Sequence, residues 1–121
     1  MTRTLDDPKA LVPLSEAVFQ ILLSLADEDR HGYGIIQEVG ERTDGRLRLG
    51  PGTLYGAIKR LRGQGLIEEV EADWRAADDE RRRYYHLTAL GRELATLEAR
   101  RLERLLMGAR QKKLLPQRGM A

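Results

Sequence analysis

Five apolar side chains near the start of the chain, Leu14, Val18, Ile21, Leu22 and Leu25, recur at three- and four-residue intervals. That spacing lines one face of an amphipathic helix, and Glu16 suits the positive end of its dipole. The stripe predicts a first helix ending near Asp27-Glu28-Asp29. A second helix is expected from about Gly32 to Thr43, with Gly32, Ile36, Val39 and Gly40 on one side and Asp44-Gly45 as its stop signal. Arg46-Leu47-Arg48-Leu49 alternates charge and leucine, the period-two pattern of a short half-buried strand. Gly50-Pro51-Gly52-Thr53 then opens a third helix, since proline's fixed φ is already helical and its missing N–H has no partner in a first turn. Leu54, Ile58 and Leu61 give that helix a narrow inward stripe, and Gly63-Gln64-Gly65 closes it.

Leu66 to Val70 and Arg83 to Leu87 read as two strands of an antiparallel hairpin, joined by an acidic loop that holds Ala76-Ala77-Asp78-Asp79. Thr88 is a good N-cap, and from it Leu90, Leu94 and Leu97 pass an apolar stripe to Leu102, Leu105, Leu106 and Ala109. A helix of about 26 residues reaches roughly 39 Å, farther than the small body that residues 14–87 can form. Its leucine edge, Leu94, Leu97, Leu102, Leu105 and Leu106, is therefore expected to be buried against a second copy of the chain. A helix folded back onto its own domain is the alternative.

The plan is mainly α with a small β-hairpin, in the order helix, helix, short strand, helix, hairpin, long helix. That order is a winged helix-turn-helix with an added dimerisation helix. Residues 1–13, with Asp6-Asp7-Pro8 and Pro13, read as a flexible or loosely docked arm. Residues 14–87 form the winged domain, 88–114 the dimerisation helix and 115–121 a flexible tail.

Length and composition narrow the function. The 121 residues allow one domain with one modest core. No apolar run approaches the roughly 18 residues that span a bilayer, and no signal peptide is apparent, so a cytoplasmic protein without a membrane partner is expected. The chain has no cysteine, which removes disulfides, thiolate nucleophiles and cysteine-based zinc sites together. An enzyme would need a convergent nucleophile, base and orienting group. His31 and His86 are the only histidines, and Asp27, Glu28 and Asp29 near His31 read as the solvated end of a helix. No catalytic site, metal site or cofactor is expected.

The net charge is only +2, but the signs come in blocks. Residues 45–67 carry five basic side chains, Arg46, Arg48, Lys59, Arg60 and Arg62, and no acid. Seven acids and one arginine follow from Glu68 to Glu80, directly before Arg81-Arg82-Arg83. On the third helix, the arc opposite Leu54, Ile58 and Leu61 holds Gly52, Thr53, Tyr55, Gly56, Lys59, Arg60 and Gly63, with Arg62 at its flank. No carboxylate lies on that arc. Duplex DNA repels acids and rewards cations and hydroxyls, and its major groove, about 12 Å wide, admits one helix. Glycine inside a helix costs about 0.5–1 kcal/mol relative to alanine, and close approach to DNA is one reason to keep Gly56. If the acidic segment bends away, Arg82 and Arg83 at the base of the returning strand meet the phosphate backbone beside the groove. The competing readings are a solvated charged face and a winged-helix protein–protein interaction module that meets an acidic partner. The lone Trp74, inside the charged loop, reads as a packing side chain or a contact for an effector or partner.

Four segments resemble the PadR family of bacterial transcriptional regulators. They are the helix opening at Leu14-Ser15, His31-Gly32-Tyr33-Gly34-Ile35, the run from Gly52 to Leu61 with Gly65-Leu66-Ile67, and Arg83-Tyr84-Tyr85-His86-Leu87-Thr88-Ala89-Leu90-Gly91. No one piece is specific alone; the set in this order and separation is. Gly56 stands where relatives often have proline, and the last helix lacks the tryptophan that lines the drug pocket of some multidrug-binding relatives. The resemblance implies a homodimeric repressor that binds double-stranded DNA at an inverted repeat, with the third helix in the major groove. It implies that Thr53, Tyr55 and Lys59 read the groove and that Tyr33 contacts a phosphate, a core tyrosine being the alternative for Tyr33. Of Tyr84 and Tyr85, on opposite faces of one strand, one is expected in the core. A small-molecule effector, of a chemistry the sequence does not specify, would find its cavity between the long helices and the domain bodies.

Overall fold

A computed structural model describes residues 8–71 and 83–117. Four helices carry the chain: α1 (Glu16–Ser24), α2 (Gly32–Arg42), α3 (Pro51–Gly63) and α4 (Ala89–Gln111). Three short strands, β1 (Arg30–His31), β2 (Ile67–Val70) and β3 (Tyr84–Leu87), form an antiparallel sheet in the order β1-β3-β2. Every helix start has a local cause. Ser15 and Thr88 accept the N–H groups of Val18 and Gly91 at the heads of α1 and α4. His31 caps α2 by accepting the Gly34 N–H on Nδ1, and Pro51 occupies the first turn of α3.

One apolar cluster joins the four helices, α4 through Leu94, to β2 and β3. Ile21 and Leu22 from α1, Ile35 and Val39 from α2, Leu54, Ala57, Ile58 and Leu61 from α3, and Ile67, Tyr85 and Leu87 from the sheet are buried together. Burying such side chains contributes about 1.5–3 kcal/mol each, so α3 is held along its whole inner face. Tyr85 is the core tyrosine of its strand, whereas Tyr84 stays half-buried.

Three expectations need correction. Residues 46–49 form no strand: the Thr43 hydroxyl accepts the Leu47 N–H at 3.1 Å, Arg48 Nε donates to the Gly45 carbonyl at 3.1 Å, and Arg46 pairs with Glu16. The segment is a turn that drops Leu49 into the core. The extra strand is β1 instead, where Arg30 and His31 lie opposite Tyr85 and Tyr84. Secondly, α1 stops at Ser24, short of the acidic run. Thirdly, Leu94 is fully buried inside its own chain and so does not belong to a surface that waits for a second copy. The exposed end of α4 begins later, with Leu105, Leu106 and Met107 all at least 46% exposed, while Leu97 and Leu102 are half-buried.

Within the stretch expected as an arm, Pro8–Leu11 make a 3-10 turn that packs on α4, and Leu11 and Val12 lie against the core. Among the described residues, no helix is long and apolar enough to cross a membrane.

Candidate nucleic-acid interface

The inner face of α3 is committed to the core, and this fixes which side chains face out. Leu54, Ala57, Ile58 and Leu61 are buried, whereas Thr53, Tyr55, Lys59, Arg60 and Arg62 are all exposed. The helix has no acid in its first turn and no side-chain cap, because Gly50 at its N-cap has none to offer. Its positive end and its cations therefore fall on one outward surface. Gly56 sits in the middle of that surface, where an added Cβ would meet only the Arg60 guanidinium, at 3.8 Å. Nothing among the described residues requires glycine there. Arg60 also borders a recess of about 200 Å³ with Leu11, Leu14, Gln64 and Leu94, which places it on the flank toward the N-terminal segment.

Tyr55 packs over Gly32, the chain neighbour of Tyr33. The Tyr55 phenol lies directly over Gly32, so closely that a Cβ on Gly32 would collide with its hydroxyl and ring. About half of the Tyr55 surface remains open, and Tyr33, next along α2, is 57% exposed. A core role for Tyr33 is thereby removed. Its ring runs parallel to that of His31, with centroids 6.4 Å apart, and Tyr84 meets His31 edge-on at 5.4 Å. The sequence placed Gly32 only on the apolar side of α2; its contact with Tyr55 depends on the approach of α2 and α3.

The wing holds a carboxylate that sequence reasoning missed. One oxygen of Glu69 on β2 lies 3.3 Å from Arg62 at the end of α3 and 3.5 Å from Arg83 at the foot of β3. Both arginines remain well exposed, so these pairs are weak. Beneath them, burial pushes the Tyr85 phenol up, with the negative ends of Tyr55 and Glu69 acting in the same direction. Arg82, Trp74 and the acidic loop lie outside the described residues.

The two histidines have structural partners. His31 Nδ1 is the α2 cap acceptor, and His86 Nδ1 lies 2.7 Å from an Asp29 carboxylate oxygen, joining β3 to the approach to β1.

Comparison with known proteins gives this arrangement its context. The model of the family described as "Transcriptional regulator PadR-like family" matches residues 21–97. A transcriptional regulator of Mycobacterium tuberculosis is 36% identical over 85 residues, covering 70% of this chain and 74% of that protein. An uncharacterized 37.1 kDa protein from a transposon of Streptomyces fradiae is 40% identical over 91 residues, covering 75% of this chain; the match spans only 24% of that longer protein. The crystal structure of a PadR family transcription regulator from Clostridium difficile superposes with a TM-score of 0.69 at 27% identity, covering 80% of this chain and 97% of that one. With the family match running from α1 into α4 and the fold shared with a solved member, the chain belongs to the PadR-like family of transcriptional regulators.

Proposed function

We propose that two copies of the chain, joined along the exposed end of α4, bind an inverted repeat in double-stranded DNA and repress transcription there. A small-molecule effector would relieve the repression, and the site of action is the cytoplasm. The observation that carries the reading is the outer face of α3, where Thr53, Tyr55, Lys59, Arg60 and Arg62 are exposed with no carboxylate among them. In the major groove, Thr53, Tyr55 and Lys59 would reach base edges, while Tyr33 and Arg83 would hold phosphates on either side. Leu105, Leu106 and Met107 supply an apolar surface at the far end of α4, and a second copy is the partner that buries it symmetrically.

The test is selection of duplexes from a random library, followed by titration of the best sequence and a scrambled control at one salt concentration. The reading predicts a selected duplex bound about 10³-fold or more tightly than the control, with two chains per duplex. Equal affinity for both would overturn sequence-specific binding. Equal affinity combined with capture by an acidic protein surface would favour a protein–protein module instead.

A further inference from the structure

The first turns of α4 are anchored to the reading domain far more firmly than a simple tether requires. Gly91 lies against the Leu66 backbone, so closely that a Cβ would collide with the Leu66 carbonyl oxygen and with Leu87. The same carbonyl accepts both the backbone N–H of Thr88, at 3.1 Å, and its hydroxyl, at 3.0 Å. The Leu66 N–H in turn bonds back to the Leu61 carbonyl of α3, at 2.9 Å. The base of α4 is thus bonded to the residue that closes α3. One turn on, Arg92 donates to the Ala26 carbonyl, at 2.7 Å, beyond the end of α1.

The last anchor is Glu98, which falls within the apolar stripe of α4 and is only 2% exposed. Arg101 grips it through two bonds, of 2.9 and 2.7 Å, and the backbone N–H of Leu14 donates to it as well. Past Glu98 the outward face of α4 is open, through Ala99, Arg100 and Glu103 to Met107. The 13 residues from 99 to 111 form a stalk of roughly 20 Å.

We propose that this anchored base sets the distance between the two reading helices of a dimer, making Gly91 and Glu98 positioning residues for the spacing of the two halves of the DNA site. The proposal rests on the reading of the chain as an α4-joined dimer on an inverted repeat. The lever arithmetic supports it: a tilt of about 10° at the base moves a point about 20 Å away by about 3.5 Å. That is close to the rise of one base pair, about 3.4 Å. A change at the base therefore converts into a change of spacing, while the α3 face that reads each half-site is untouched.

The experiment uses duplexes carrying two selected half-sites separated by spacers that change one base pair at a time, together with a single half-site duplex. The full-length wild type should prefer one spacing by about tenfold over its neighbours. Gly91→Ala must push α4 off the Leu66 backbone, and should shift the preferred spacing or flatten the preference to within about threefold. Its affinity for the single half-site and its dimeric mass by sedimentation should match the wild type. Glu98→Ala should flatten the profile in the same way, and Glu98→Gln, which keeps an acceptor for Leu14, should restore part of it; these two carry the test if Gly91→Ala fails to fold. A wild-type spacing profile in the folded variants overturns the proposal, as does a parallel loss on single and paired half-sites. Failure of the wild type to bind any duplex, or to dimerise, overturns the underlying reading instead and this proposal with it.

Discussion

Gly56 shows how a residue's environment separates folding from function. It lies mid-helix with open space around it, so alanine fits without displacing anything in the chain. Gly56→Ala should raise stability by about 0.5–1 kcal/mol in a chemical denaturation experiment, the ordinary gain of alanine over glycine within a helix. If the glycine serves close approach to DNA, the same variant should bind its duplex more weakly while being more stable; gains in both would assign Gly56 to neutral drift of an exposed face. Gly32 behaves in the opposite way, because the Tyr55 ring occupies the space a methyl would need. The sequence put Gly56 on the outward arc of α3 and Gly32 on the apolar side of α2, yet it could not show the Tyr55 contact over Gly32, which depends on how α2 and α3 approach. Glu98 left a clearer trace: a carboxylate four residues after Leu94 in an apolar stripe, with Arg101 at the next turn, is the pattern of a paired buried acid.

Among the elements, α4 and the wing have the most testable electrostatics. The Arg101 guanidinium beside Glu98 holds its carboxyl below its ordinary value of 4.5, against the opposing effect of burial and with help from the Leu14 N–H. A carboxyl held low stabilises the fold above its ordinary value, and that contribution fades as pH falls through its lowered one. The stability gap between wild type and Glu98→Gln, followed by thermal circular dichroism, should therefore be full near neutrality and shrink below about pH 4.5. A gap independent of pH would contradict the assignment. Glu98→Ala, which leaves the Leu14 N–H without an acceptor, should cost about 1–3 kcal/mol. In the wing, Glu69→Gln removes the carboxylate shared by Arg62 and Arg83. Freed for phosphate, the two arginines should steepen the dependence of log affinity on log salt by up to about 0.9 for each new contact per chain. An unchanged slope would mean that neither arginine reaches the backbone. Helices α2, α3 and α4 were legible because at least two signals agree in each: stripe and stop in α2, first-turn proline, stripe and stop in α3, and cap and stripe in α4. The alternation at 46–49 misled because period two marks a strand only where a partner ladder exists, and β1 was hidden because two residues carry no period.

At the scale of the whole molecule, the sequence stripe on α4 gave no sign of where the body ends. Leu94 and Leu105 occupy equivalent positions on paper, yet one is in the core and the other is 59% exposed. The proposed dimer surface would thus be confined to the distal end, and Leu105→Glu with Leu106→Glu should disrupt it without touching the fold. Circular dichroism should still report the folded helical chain, while sedimentation reports monomers and affinity for the paired half-site duplex collapses. A dimer that survives the double change would place its interface elsewhere. The central claim remains that the exposed face of α3 reads bases, and Lys59 tests it from the middle of that face, away from the arginine pairs of the wing. The measurement is the affinity ratio between selected and scrambled duplexes, for wild type and Lys59→Ala, at a single salt concentration. Because a dimer presents Lys59 twice, the ratio should fall by about 2–6 kcal/mol in total, thirtyfold or more. An equal loss on both duplexes, leaving the ratio unchanged, would contradict base reading by this face.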